Sequence, residues 1–387
     1  MNRKICVVSG SRSDYGLLKW VLAEIRDDPA LDLQLVVTGS HLSAEFGYTY
    51  KQIEADGFVI SDALEILLDS NTANAVAKSA GLGLMSFADS FSRLKPEIVL
   101  ILGDRYEIFA AAAAASLLHI PIAHCHGGER TEGALDEVMR HAITKLSHLH
   151  FTSTKTYRKR VVQLGEHPDR VFNVGALGLE AVQRDTLLNR SECEKQLGAK
   201  LLDRYLLIAY HPETLALNRL TQDCNELLVA LDEVPDLQLV FSLSNADEGG
   251  REINRLLNDY VTRNQDRCIV RASFGHKLFL SLMQFASGMV GNSSSALIEA
   301  PSFGLRCLNI GDRQKGRVKS PLTMDCSAES KEIKKRILQI LRDENDLPRN
   351  PQSNPYWQDA PAQKIKDQLK RYPLHSLQKK AFWDLEV

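Results

Sequence analysis

The chain has 387 residues, 47 basic and 49 acidic, a formal net charge of -2 and an apolar fraction of 44 %. That length exceeds one ordinary core, so two domains are expected. The balanced charge excludes a bulk polyanion binder, hence no nucleic-acid partner, and it reads Arg158-Lys159-Arg160 and Lys379-Lys380 as solvated helix faces.

Seven cysteines show no C-x-x-C spacing, and several sit in apolar, strand-like contexts such as Ile5-Cys6-Val7-Val8. They read as buried thiols of a reducing compartment rather than disulfides or a zinc cluster. The chain opens almost at once on a strand, with no secretory segment before it, and Ala110–Leu118 is far short of the about 20 apolar residues of a spanning helix. The expectation is a cytoplasmic protein with no membrane partner.

Lys4–Val8 is the first predicted strand. It runs into Ser9-Gly10-Ser11-Arg12-Ser13-Asp14-Tyr15-Gly16, read as a loop, and then a helix over Leu17–Ile25. Strands follow at Leu33–Thr38, Glu97–Leu102, Ile120–His124, His148–Thr152 and Val171–Val174, with an alanine-rich helix at Ile108–Leu118. The nearly continuous apolar character of these strands suits buried parallel pairing. Leu177–Asp203 reads as helical and polar, and the domain boundary is placed there. Strands resume at Tyr205–Ala209, Leu237–Leu243, Cys268–Val270, Gly288–Gly291 and Arg306–Ile310, and the tail turns helical over Ala360–Tyr372. The pattern predicts an α/β chain of two doubly wound, Rossmann-like domains. The first spans 1–180 and is joined by the tail 365–387; the second spans 181–364. One ligand is expected in a cleft to which both domains contribute.

Polar motifs cluster where these strands end. Gly10–Gly16 is neither G-x-G-x-x-G nor a P-loop, so a standard nicotinamide or ATP fingerprint is rejected. Arg12 there still suits a phosphate or carboxylate. Gly103-Asp104-Arg105-Tyr106-Glu107 places an acid and a base after a buried strand. His124-Cys125-His126-Gly127-Gly128-Glu129 and Asp136-Glu137 add imidazoles and carboxylates suited to proton transfer. H-x-H with nearby acids is compatible with zinc or manganese, but no H-E-x-x-H accompanies it, and no metal is expected. In the second half His211 follows a strand, and Gly291-Asn292-Ser293-Ser294-Ser295 offers hydroxyls and amides to a diphosphate. Glu299, one turn into the helix expected there, suits two ribose hydroxyls.

In this order the motifs resemble the UDP-N-acetylglucosamine 2-epimerase family, and more narrowly its hydrolysing branch of bacterial sialic-acid synthesis. The resemblance rests on Gly10–Gly16, Gly103–Glu107, His126–Glu129, Arg140-His141-Ala142-Ile143-Thr144-Lys145, His211-Pro212, Gly291–Ser295 and Gly311-Asp312-Arg313-Gln314. It implies the GT-B fold. It also implies that Arg12, Ser13, Arg105, Ser294, Ser295 and Arg313 bind the UDP end of the substrate, with Glu299 on the ribose and His211 near the diphosphate. Asp104, Asp136 and Glu137 match acidic residues implicated in proton transfer. Many members carry glutamate where this chain has His126, so either His126 or Glu129 takes that role; acid and base are not assigned individually.

The implied reaction is anti elimination of UDP to 2-acetamidoglucal, then hydration to N-acetylmannosamine, with a UDP-sugar substrate, no cofactor and a homodimeric or homotetrameric protein. Alternatives kept open are hydrolysis of UDP-N,N'-diacetylbacillosamine and a non-hydrolysing UDP-N-acetylglucosamine epimerase. A glycosyltransferase of the same architecture and a protein that only binds UDP-sugar stand further off.

Overall fold

The apolar run Ile5–Val8 lies at the centre of a parallel sheet, wholly buried, as β1 (Arg3–Ser9). The computed structural model describes residues 2–68, 72–132, 136–213, 216–244, 249–342, 350–377 and 379–385. Leu135, which precedes Asp136, Thr214, which closes the run after His211, Asn245, after the strand Leu237–Leu243, and Pro348, where the sequence turns Pro/Asn/Gln-rich, lie outside them. Contacts divide the chain into two units, one of Met1–Glu129, Asp136–Glu180 and Gln358–Val387, the other of Arg130–Leu135 and Ala181–Trp357. The short segment from Arg130 thus groups with the second unit, and the whole tail from Gln358 with the first.

In the first unit β1 is joined by β2 (Leu31–Thr38), β3 (Ile60–Leu64), β4 (Ile98–Leu102), β5 (Ile122–Cys125), β6 (Leu149–Thr152) and β7 (Val171–Asn173). The order is β3-β2-β1-β4-β5-β6-β7, and every pair is parallel. Winding reverses between β1 and β4, and the carboxyl ends flanking that reversal are where such sheets hold ligands. All five residues of β4 are buried, because helices cover both faces.

The second unit repeats the plan with β8 (Tyr205–Ala209), β9 (Gln238–Ser242), β10 (Cys268–Arg271), β11 (Gly288–Gly291), β12 (Cys307–Ile310) and β13 (Thr323–Cys326). Its order is β10-β9-β8-β11-β12-β13, again parallel, with the reversal between β8 and β11. Gly291 closes β11 at φ +138°, and a Cβ there would sit 2.1 Å from the Ala209 carbonyl oxygen. Only glycine lets these two strand ends approach so closely.

Several expectations are corrected. The first helix spans Arg12–Arg26, not Leu17–Ile25: Ser11 caps it, its hydroxyl accepting from the Asp14 amide. Arg12 and Ser13 therefore stand on a helical turn. Glu299 is not inside a regular helix. The α-helix is one turn, Ser295–Ile298, and Glu299 lies at its end, because Pro301 cannot continue the hydrogen-bond ladder and opens a 3-10 turn at Ala300–Phe303. The basic runs are not simply solvated. Arg158 donates to Val171 O (2.8 Å) and Pro168 O (2.9 Å), and Arg160 to Gly128 O.

All seven cysteines are free thiols, five of them buried. Among the described residues no helix is long and apolar enough to cross a membrane.

Candidate active site

In the first unit the predicted acids gather at the carboxyl ends of β4 and β5. Asp104 follows β4 and forms a salt bridge with Arg140, from the helix Asp136–Leu146. The Arg140 side chain is 2 % exposed. It also donates to Glu137 Oε2 (3.1 Å) and to the Glu129 carbonyl (3.0 Å). Three acidic neighbours outweigh burial and keep this guanidinium's pKa above its ordinary value. Glu137 turns its other oxygen to His141 Nε2 at 3.1 Å. Asp136 opens the same helix, where a carboxylate complements the helix dipole.

His126 and Glu129 form a packed pair beside this cluster. His126 Nδ1 lies 3.2 Å from Glu129 Oε1, and that oxygen accepts the Ser153 hydroxyl at 2.7 Å. His126 Nε2 accepts the Leu177 amide at 3.3 Å, which places the ring proton on Nδ1. His124 is buried below, with Nε2 2.7 Å from the Gly103 carbonyl and Nδ1 3.3 Å from Thr144 Oγ1. Burial holds its pKa down at about 3, so it is a neutral structural imidazole. The two rings do not converge, and no group of three His, Cys, Asp or Glu suited to a metal occurs among the described residues.

Beyond β4 the Arg105 Nε donates to Glu107 Oε1 at 2.8 Å, and Glu107, 1 % exposed, packs against Gly10 at the end of β1. Asp14 accepts the Gly10 amide. Burial lifts its carboxyl to about 6, with Arg105 opposing and Glu107 adding. Arg12 and Ser13 are exposed beside them, and Ser13 Oγ lies 2.8 Å from Ser11 Oγ.

The second unit builds its cluster on Asn292, which is fully buried after β11. Its side-chain oxygen accepts the His211 amide (2.7 Å), and its NH2 donates to the His211 carbonyl (2.9 Å), locking the β8 and β11 ends together. Its own carbonyl accepts from Arg313 (3.1 Å) and Gln314 (2.8 Å). Glu213 Oε1 takes the Asp312 and Arg313 amides. His211 Nδ1 lies 3.2 Å from Ser244 Oγ. Burial, and then the Arg313 charge, hold His211 at about 3, a neutral ring at working pH. Ser294 and Ser295 are half-buried at the start of the one-turn helix, and Glu299 is buried at its end.

A sequence model of the family described as UDP-N-acetylglucosamine 2-epimerase matches residues 23–370. The chain belongs to the UDP-N-acetylglucosamine 2-epimerase family. It is 44 % identical over 84 % of its length to the GDP/UDP-N,N'-diacetylbacillosamine 2-epimerase (hydrolyzing) of Campylobacter jejuni, of which it covers 84 %. It is 40 % identical over 92 % of its length to the polysialic acid biosynthesis protein P7 of Escherichia coli, covering 91 % of that protein. Its fold matches the crystal structure of the Neisseria meningitidis UDP-GlcNAc 2-epimerase bound to UDP-GlcNAc. The TM-score is 0.78 at 18 % identity, covering 95 % of this chain and 99 % of that one. The architecture is GT-B-like.

Within this epimerase-family chain, Asp104, His126, Glu129, Asp136, Glu137, Arg12, Ser13 and Arg105 lie in the first unit. His211, Ser294, Ser295, Glu299 and Arg313 lie in the second. Sequence reasoning named Arg140 and Asn292 only within longer motifs and gave neither a site role, although Arg140 joins Asp104 to Glu137 and Asn292 is the hub of the second cluster. The signal for Arg140 was its i+3 spacing from Glu137 on one helix face. Asn292 carried none beyond its place after a strand.

Proposed function

We propose that this chain is a hydrolysing 2-epimerase that turns UDP-N-acetylglucosamine and water into UDP and N-acetylmannosamine. The observation that carries this reading is Arg140, one buried guanidinium holding carboxylates of two separate elements, Asp104 and Glu137, at the strand ends of a 2-epimerase-family chain. In the elimination a carboxylate takes the proton from C2 of the sugar. The C2–H electron pair becomes the C1–C2 double bond, and the C1–O pair leaves with UDP. Water then adds oxygen at C1, and a proton returns to C2 from the opposite face.

Asp104 and Glu137 suit the proton transfers best, because their side chains remain about one-fifth exposed, 21 % and 22 %. Glu129 is 3 % exposed and engaged by Ser153 and His126, which suits it to positioning. The C2 proton is weakly acidic, next to no carbonyl, so the rate leans on stabilising the departing diphosphate. Arg313, Ser294, Ser295 and the neutral His211 are assigned to that task, Glu299 to the ribose, and Arg12, Ser13 and Arg105 to further anion contacts. No cofactor is required, and the working protein is a homo-oligomer.

A second sugar, UDP-N,N'-diacetylbacillosamine, is favoured by the likeness to the Campylobacter jejuni protein at 44 % identity. Incubation of each UDP-sugar with the purified protein in heavy-oxygen water, with chelator present, tests both readings. The expected result is UDP plus a free 2-epimeric sugar labelled at C1. Label in UDP overturns the elimination, and an intact epimerised UDP-sugar points to the non-hydrolysing reaction.

A further inference from the structure

The helix Asp136–Leu146, which presents Glu137 and Arg140 from its first turns, has its other end closed by the C-terminal tail. A helix leaves its last carbonyls without partners inside itself. Here the Lys380 ammonium supplies them: it donates to Lys145 O (2.7 Å), to Ser147 O and at longer range to Thr144 O (3.4 Å). A cation at this end also complements the helix dipole. The same ammonium lies 2.8 Å from Glu166 Oε2.

Glu166 is 2 % exposed and ties three elements together. It pairs with Lys145 of the helix (2.5 Å), His150 of β6 (2.9 Å) and Lys380 of the tail. Around it the tail is fastened again. Trp383 donates its amide to Gly165 O (2.9 Å), and its ring meets His167 edge-on at 4.3 Å. Phe382 lies over Gly165, where a Cβ would come within 2.3 Å of its ring, and under Lys145 Nζ at 4.9 Å. Lys380 is therefore not the solvated charge its sequence context suggests.

We propose that Lys380, through Glu166 and the helix C-terminus, is a positioning residue for the Glu137–Arg140–Asp104 cluster. From Arg140 to Lys145 is five residues, about 7–8 Å along the axis. The tail and Asp104 thus grip opposite ends of one short helix. Release of the lysine end frees the last turn to fray and loosens the register in which Arg140 meets Asp104. The catalytic part of this inference rests on the reaction proposed above; the mechanical part does not.

Backbone hydrogen exchange on the full-length protein tests the mechanical part. Lys380→Met is expected to speed exchange across 136–146 by about tenfold or more while leaving the helix Ala73–Leu94 unchanged. Lys380→Arg, which keeps charge and donors, is expected to restore protection. In the same variants kcat for UDP-sugar hydrolysis should fall about tenfold in Lys380→Met with KM changed less than about twofold, and recover in Lys380→Arg. If Lys380→Met does not fold, Phe382→Ala loosens the same tail and is expected to give the same local pattern. Unchanged exchange in 136–146, or equal acceleration through both units, overturns the proposal. A wild-type protein that turns over no UDP-sugar overturns the proposed function, and the exchange result still judges the clamp.

Discussion

Asp104 and Arg140 form a salt bridge across 36 residues of sequence, linking the end of a buried strand to the side of a helix. The guanidinium is buried and the carboxylate partly open, so the pair fixes a solvent-reachable carboxylate in place rather than hiding two charges. Asp104→Asn keeps the shape and loses the charge. It is expected to retain UDP affinity by calorimetry within about threefold while losing turnover by about a hundredfold or more. An equal loss of UDP affinity would make Asp104 a scaffold residue.

Arg140→Lys tests the other partner. A lysine keeps the charge but cannot serve Asp104, Glu137 and the Glu129 carbonyl in one plane. The expected cost is about 2–4 kcal/mol in urea unfolding, with a loss of kcat as large as that of Asp104→Asn. Full activity in Arg140→Lys would remove the observation on which the proposed function stands.

Two glycines give opposite expectations. Gly291→Ala drives a Cβ into the Ala209 carbonyl at a φ of +138°, and the obstacle is backbone that cannot step aside. It should cost about 3 kcal/mol or more in the second unit. Gly16 lies in the helix Arg12–Arg26 with nothing within 4 Å of an added Cβ, so Gly16→Ala should raise stability by up to about 1 kcal/mol. Thermal unfolding of the two variants beside wild type checks both signs.

The central strands were legible because burial on both faces demands unbroken apolar runs, as in Ile98–Leu102 and Tyr205–Ala209. The two strands that escaped, Ile60–Leu64 and Thr323–Cys326, are outermost in their sheets. Their sequences, ISDAL and TMDC, alternate or mix polar groups because one side faces water. The strand-end polar motifs on which the proposed site is built were legible, since parallel sheets place such groups where ligands bind. Partners distant in sequence were not: nothing local pairs Asp104 with Arg140, or Lys380 with Glu166. Lys380 was misread because a lysine pair in a polar tail carries no mark of the carbonyls it meets 233 to 236 residues away.

Glu166 gives a pH signature. Burial alone would raise its carboxyl, but hydrogen bonds from His150 and Lys145, together with the Lys380 charge, outweigh it and hold the pKa near 2 against an ordinary 4.5. The folded state then binds fewer protons than the unfolded chain. Its contribution is complete above about pH 4.5 and is lost as pH falls toward 2. Urea titrations from pH 6 to pH 2.5 should show this slope, and Glu166→Gln should flatten it. At neutral pH that variant should also be less stable by about 3 kcal/mol, since Lys380 is left buried beside an amide. An unchanged slope would mean that the acid transition belongs to other carboxylates.

His211 gives a second pH signature, one tied to ligand binding. Burial and the neighbouring Arg313 charge hold the free protein's imidazole at about 3, so it is neutral from pH 5 upward. A diphosphate bound beside it adds negative charge, which favours the imidazolium and moves the pKa up toward its ordinary 6.5. Binding at pH 5 must then take up protons, and the uptake must fade by pH 8. Calorimetry of UDP binding in two buffers of different ionisation enthalpy measures that number directly. Because UDP also titrates in this range, the decisive quantity is the difference between wild type and His211→Asn. Proton uptake at pH 5 should be larger in wild type, by up to about one proton per site. Equal uptake in both proteins would place the diphosphate away from His211 and withdraw the assignment of that residue to the leaving group.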